Sequence, residues 1–259
     1  METPEFRVPV LHRRQALALL GATPWLASAQ PLVLRSASQA GAAVKYGDAR
    51  AARPGICREI AQAVAAGGAG LSIAGLEQTV PLRRLELLLS QGELDVFFCM
   101  LKSSRREQLM NFLPVPLYRV RHVLAMRMED VPMPQTWGEL RQAARASPVL
   151  VAQGSQLALK LREMEVHHVE AALSDREELQ MLLRGRANML YGQDMNLRQL
   201  LRNDKLEPLI RLGGQAFDEE LQYAVVSRQL APDKVQRLAD RLRLLEAGGE
   251  LARIVQRYR

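Results

Sequence analysis

GELDVFFCMLKSSRREQLMNFLPVPLY, from Gly92 to Tyr118, reads as a buried strand that delivers an arginine to the start of a helix. Asp95 to Met100 is a short apolar run rich in Val and Phe after the turn signal of Gly92, as expected of a strand covered on both faces. Ser103 and Ser104 can cap the helix that follows, and Arg106 falls in its first turn. Backbone N–H groups there already favour an anion, and a guanidinium beside them adds a planar set of donors for a carboxylate. Taken alone, an arginine near a helix start is most often a solvated side chain, so the rest of the chain has to supply the context.

Working outward, strand and helix signals alternate along most of the length, which predicts an α/β architecture with largely parallel sheets. Before the central stretch, Leu32 to Arg35 reads as a strand, and Gly55 opens a helix with Ile56, Ile60, Ala61 and Val64 on one face, closed by Ala66-Gly67-Gly68. Leu71 to Ala74 reads as a second strand, and Leu82, Leu85, Leu88 and Leu89 mark the next helix. After Pro114-Val115-Pro116, Val123 to Met126 reads as a strand leading into a second set. That set holds a helix at Trp137 to Ala144, a strand at Val149 to Ala152, a helix from Leu157 to Met164 and a helix through Leu179, Leu182 and Leu183. A strand at Met189 to Tyr191 and a helix through Leu197, Leu200 and Leu201 complete it. Gln222 to Val226 is a return strand, and two helices split by Gly248-Gly249 end the chain. Two similar sets joined by two extended crossings describe a pair of lobes around a cleft.

The first 29 residues read as an export leader: a basic start at Arg7, His12, Arg13 and Arg14, a short apolar core from Ala16 to Ala22, and the small-residue site Ala27-Ser28-Ala29. A mature chain beginning at Gln30 and a periplasmic location follow, by the ordinary secretory route or, given Arg13-Arg14, the twin-arginine route. No Cys follows the cleavage site to carry a lipid, and no apolar run is long enough to span a bilayer. The formal net charge is +7, of which the leader contributes +1 through Arg7, Arg13 and Arg14 against Glu2 and Glu5. The remaining basic residues form short clusters such as Arg83-Arg84, Arg105-Arg106 and Arg184 to Arg186 with few aromatics between them, which argues for solvated faces and against a nucleic-acid groove. Cys57 and Cys99 permit one disulfide in an oxidising compartment, or serve as two small buried apolar side chains.

The order and spacing of these motifs resemble the bacterial extracellular solute-binding proteins of family 3, the polar amino-acid receptors of ABC importers. The likeness rests on Gly92 to Tyr118, on the turn Gln153-Gly154-Ser155-Gln156, on Gly185 to Asn188, on Tyr223 to Ser227 and on the closing Gly248 to Ile254. It implies a two-lobed type II periplasmic-binding fold, each lobe a mainly parallel sheet flanked by helices, with lobe 1 over 30–124 and 224–259 and lobe 2 over 125–223. The family's carboxylate-binding arginine falls on Arg106, with Ser103 three residues earlier and Leu101 at the strand end. Its second-lobe carboxylate turn falls on Gly154, Ser155 and Gln156. Its acidic partner for the α-amino group falls on Gln193 or, one residue on, Asp194, and its aromatic shelf on Tyr46. The implied partners are a small amino acid or organic acid and an ABC permease or sensor kinase; no cofactor, metal or nucleic acid is expected, and the protein is expected to be a monomer.

Other chemistry finds little in the sequence. His167 and His168 are adjacent and point apart on either a helix or a strand, so they do not chelate one metal. The pairs Glu177-Glu178 and Glu219-Glu220 read as solvated faces. Met100, Met110, Met126 and Met128 read as packing. Ser155 has no Lys three residues on and no G-x-S-x-G elbow appears, so hydrolysis has no motif. The expectation is a binding protein and not an enzyme. Its alternatives are a dehydratase-like enzyme on the same scaffold, with Asp194 as the acid, and an accessory protein with a degenerate cleft.

Overall fold

The computed structural model describes residue 1, residues 32–67 and residues 70–259; the body of the expected leader and its cleavage site lie outside that part. The first half of the described chain runs β1 (Leu32–Arg35), β2 (Ser38–Gln39), α1 (Ile56–Ala65), β3 (Leu71–Ala74), β4 (Thr79–Val80), α2 (Leu82–Ser90), β5 (Val96–Leu101) and α3 (Ser104–Leu109). It then enters β6 (Met110–Arg127). The predicted elements of this half are present within a residue or two, because their signals are strong: α1 turns Ile56, Ile60, Ala61 and Val64 inward, and every residue of β5 is buried.

The second half holds α4 (Trp137–Ala144), β7 (Val149–Leu150), α5 (Gln156–Glu163), β8 (His168–Val169), α6 (Asp175–Leu183), β9 (Met189–Gln193) and α7 (Asp194–Asn203). The chain closes with β10 (Ile210–Leu212), β11 (Asp218–Ser227), α8 (Pro232–Ala247) and α9 (Glu250–Gln256). Ser155, Ser174 and Thr136 cap α5, α6 and α4 by accepting a backbone N–H three residues on.

Parallel ladders join β1 to β3, β2 to β4, and β7 to both β8 and β9. The antiparallel ladders all involve β6 or β11, which pair with each other and with β5, β9 and β10. These two long strands are the crossings between the lobes, and the expected lobe limits at 124/125 and 223/224 fall inside them. The punctuation read at Pro114-Val115-Pro116 does not interrupt the structure: β6 runs unbroken for 18 residues. In that part β6 has β11 on one side and no ladder on the other, and a strand edge is where proline is tolerated. The register of β11 shifts between Tyr223 and Val225, opposite a β5 segment in which Cys99 takes φ 67°. That bulge re-aims the end of β5.

Cys57 on α1 and Cys99 on β5 are joined by a disulfide with a Cα–Cα separation of 5.9 Å, so the bridged alternative is the one present. The C-terminal helix is tied to the same region: the Tyr258 hydroxyl accepts from the Gly55 N–H at 2.7 Å and donates to Glu59 Oε1 at 2.5 Å. No described helix is long and apolar enough to cross a membrane.

Candidate functional site

A cavity of about 90 Å³ lies between the two halves, walled by the loop after β2, the end of β5 and α3 on one side and by the N-terminal ends of α5, α6 and α7 on the other. Arg106 lines it and is only 2% exposed. Its geometry follows from the sequence around it. Ser103 Oγ accepts the Arg106 backbone N–H at 3.4 Å and fixes the helix start. The Arg106 side chain then donates from Nη1 to the Leu101 carbonyl at 2.9 Å and from Nε to Glu86 Oε1 at 2.8 Å. Burial lowers the Arg106 pKa, and the Glu86 carboxylate opposes that shift. One edge of the guanidinium is therefore held by α2, while Nη2 has no hydrogen-bond partner among the described residues.

Facing it, Ser155 and Gln156 line the cavity at the start of α5. Ser155 Oγ caps the helix by accepting from Ala158 N–H at 3.2 Å, and Gln156 and Leu157, as its first residues, have backbone N–H groups without an intrahelical partner. Leu101 and Gln193 also line the cavity. The structure thus gathers five of the expected residues, Leu101, Arg106, Ser155, Gln156 and Gln193, around one space.

Four expected residues are placed differently. Ser103 acts as the cap of α3 and is not among the lining residues. Gly154, with φ 67°, turns its N–H to Glu170 Oε2 at 2.7 Å and lines the adjoining groove with Arg83 and Glu86 instead. Tyr46 is a core residue: its hydroxyl donates to the Phe98 carbonyl at 2.9 Å and its ring lies 5.6 Å from Phe97. Asp194 lies on the far side of the crossing with Arg119, Arg121 and Arg198, accepting from the N–H of Arg121 at 3.4 Å and of Met195 at 2.8 Å. Gln193 and Asp194 are successive residues at the junction of β9 and α7, and successive strand residues point to opposite faces. Of the two, Gln193 is the one on the cavity. Glu178, read as solvated, is fully buried with both carboxylate oxygens unpartnered among the described residues, because it sits on the inward face of α6 with Leu179 and Leu182. Met128, read as packing, is half exposed.

The lining residues that the sequence reading missed include Lys45, Asp175 and Asn196. Lys45 is 7% exposed, donates from Nζ to the Cys99 carbonyl at 3.3 Å, and has its pKa pushed down to about 7 by burial and, second, by Arg106. Asp175 and Asn196 sit opposite, and the Asn196 amide donates to the Asp175 carboxylate. Burial raises the Asp175 pKa. Asn196 Oδ1 also accepts from the Val44 N–H at 3.4 Å, a direct bond between the two walls. A lone Lys inside the apolar segment AAVKY was the available signal for Lys45; nothing local marked the other two.

The fold is that of the two-lobed type II periplasmic-binding proteins, as the sequence resemblance implied. A histidine kinase sensor domain with similarity to periplasmic binding proteins aligns with TM-score 0.74 at 15% identity, covering 88% of this chain and 96% of its own. The GluR0 ligand-binding core from Nostoc punctiforme, in complex with L-glutamate, aligns with TM-score 0.71 at 15% identity over 87% and 98%. The substrate-binding protein of an amino acid ABC transporter aligns with TM-score 0.70 at 16% identity over 87% and 98%. No family model and no curated protein matches the sequence.

Proposed function

We propose that this protein is an exported solute-binding protein that holds a small carboxylate-bearing solute, an amino acid or related organic acid, between its lobes. The observation that carries this is Arg106: a guanidinium fixed by Glu86 and the Leu101 carbonyl, with Nη2 left for a guest, across from the open N–H groups of α5. A carboxylate bridging the two receives a charge-assisted bond from one lobe and backbone donors from the other. Such a guest favours the closed arrangement because only there are both sets of donors within reach. Gln193 supplies a neutral contact at the other end.

The leader read over residues 1–29 supports a periplasmic location; there the mature chain, as a monomer, delivers its solute to an ABC permease or reports it to a sensor kinase. Transporter and sensor proteins both stand among the structural neighbours. The lining residues bind and orient, and no catalytic role is assigned to them. A thermal-shift screen of amino acids and small carboxylates tests the proposal. At a solute concentration a hundredfold above Kd the folded state gains about 2.7 kcal/mol, a readily measured rise in Tm. Arg106→Ala should remove that response while retaining a cooperative transition. A solute response unchanged in the variant would refute the site.

A further inference from the structure

Lys45 is a cavity residue whose chemistry the binding scheme above leaves unused. Its ammonium is buried against the end of β5, with a single hydrogen bond, to a carbonyl, and no carboxylate within ion-pair distance among the described residues. A buried cation in that state lacks the counter-charge that folded proteins ordinarily provide. Arg106 lies in the same cavity, with Glu86 shared between it and Arg105. The cavity's own carboxylate, Asp175, is held by Asn196. Gln193 is neutral, and the acid next to it, Asp194, faces away. An ammonium brought in by a guest would meet the Arg106 guanidinium and Lys45, while the cavity's carboxylate, Asp175, is already bonded to Asn196.

The spacing is as informative as the charge. Lys45 and Arg106 are each tied to a carbonyl of β5, those of Cys99 and Leu101, two residues apart on one strand, so both reach the same end of it. The space beside them, about 90 Å³, is far below the roughly 300–1,000 Å³ of sites for drug-sized ligands. It suits a guest of a few carbons with a negative group at each end.

Resting on the solute-binding proposal above, we infer that the solute is a compact dicarboxylate without an ammonium group, one carboxylate on Arg106 and the start of α5, the other on Lys45. The groups that face Lys45 are Arg106 from α3, Asp175 from α6, Glu220 from β11 and His122 from β6. In the free protein burial and Arg106 favour the neutral amine, with a pKa of about 7, and a second carboxylate reverses that preference. Binding at pH 8 therefore takes up a proton, and affinity falls as pH rises from 7 to 9.

Isothermal titration of the mature chain with succinate and glutarate, against butyrate, L-glutamate and L-arginine, tests this. The expected result is binding of a dicarboxylate at least tenfold tighter than of butyrate or either amino acid. Repeating it at pH 8 in buffers of different ionisation enthalpy should show net proton uptake. Lys45→Met, which keeps the length and apolar stem, should abolish both the dicarboxylate preference and the uptake, and Lys45→Gln should do the same. Arg106→Ala should lose every ligand. Tight binding of a zwitterionic amino acid, dependent on Arg106 and indifferent to Lys45→Met, would overturn the dicarboxylate while leaving the solute-binding proposal intact. No binding by any compound in a folded chain would overturn both.

Discussion

Lys45 and Tyr46, like Gln193 and Asp194, are neighbours in sequence that end up with opposite assignments, one on the cavity and one off it. A residue type at a motif position is legible in sequence; which of two adjacent side chains faces inward depends on backbone dihedrals at an element boundary, where periodicity gives no guidance. Arg106 was legible because its position is set by features that sequence does show, an all-apolar strand and a Ser cap. Glu178 was not, since an acidic pair looks the same whether one member is solvated or buried. Its carboxyl is pushed up to about 10 by burial and by Asp175 and Glu177, and it is neutral at pH 7. Because the folded pKa lies above the unfolded one, the folded form holds a proton that the unfolded chain releases above about pH 4.5, and stability falls as pH rises from there. The penalty at pH 7 is on the order of 3 kcal/mol. Glu178→Gln should therefore stabilise the protein in urea unfolding at pH 8 and change it little at pH 4.5. Equal effects at both pH values would mean that the carboxyl is not held neutral.

At the scale of elements, most strands and helices are where hydrophobic patterning puts them. The main exception is β6, in which two prolines suggested a break. They are accommodated because that part of the strand has a ladder on one side alone, a property of the sheet and not of the segment. The bulge at Cys99 is equally tertiary in origin, arising where β11 slips register against β5. It carries the carbonyl that holds Lys45, and the disulfide to Cys57 anchors it to α1. The bridge closes a segment with a sequence separation of 42, for which chain entropy gives a stabilisation of about 4 kcal/mol. The Cys57→Ala/Cys99→Ala double variant should lose roughly 2–4 kcal/mol in urea unfolding, with an m-value that rises because the unfolded chain is no longer cross-linked. A loss well under 1 kcal/mol would show that packing alone fixes this corner.

For the whole molecule, two α/β sets and two crossings were sufficient to infer lobes around a cleft, since alternating elements restrict the possible architectures to a few. Contacts between the lobes were illegible, because each pairs residues far apart in sequence. Val44 with Asn196 is one, and Arg83 against Gly154 is another. A Cβ on Gly154 would lie 2.3 Å from Arg83 Nε, which must swing aside, and the backbone there has φ 67°, so Gly154→Ala strains the turn and displaces the contact. The left-handed conformation alone costs a non-glycine residue about 1–2 kcal/mol. The variant should bind its solute several-fold more weakly in isothermal titration, with global stability lowered by about 1 kcal/mol. Unaltered affinity would show that closure does not use this contact.

The crossings have a mechanical consequence. β6 and β11 pair with each other from Asp218 opposite His122 to Ser227 opposite Met110, so the lobes are connected by a hydrogen-bonded ribbon and not by two independent tethers. A ribbon resists stretching and in-plane bending far more than twist, because twist leaves its ladder intact. Any opening of the cleft is thereby funnelled into rotation about the ribbon's long axis, and those amide protons of residues 118–122 that donate into the ladder should stay shielded from solvent exchange even while the mouth gapes.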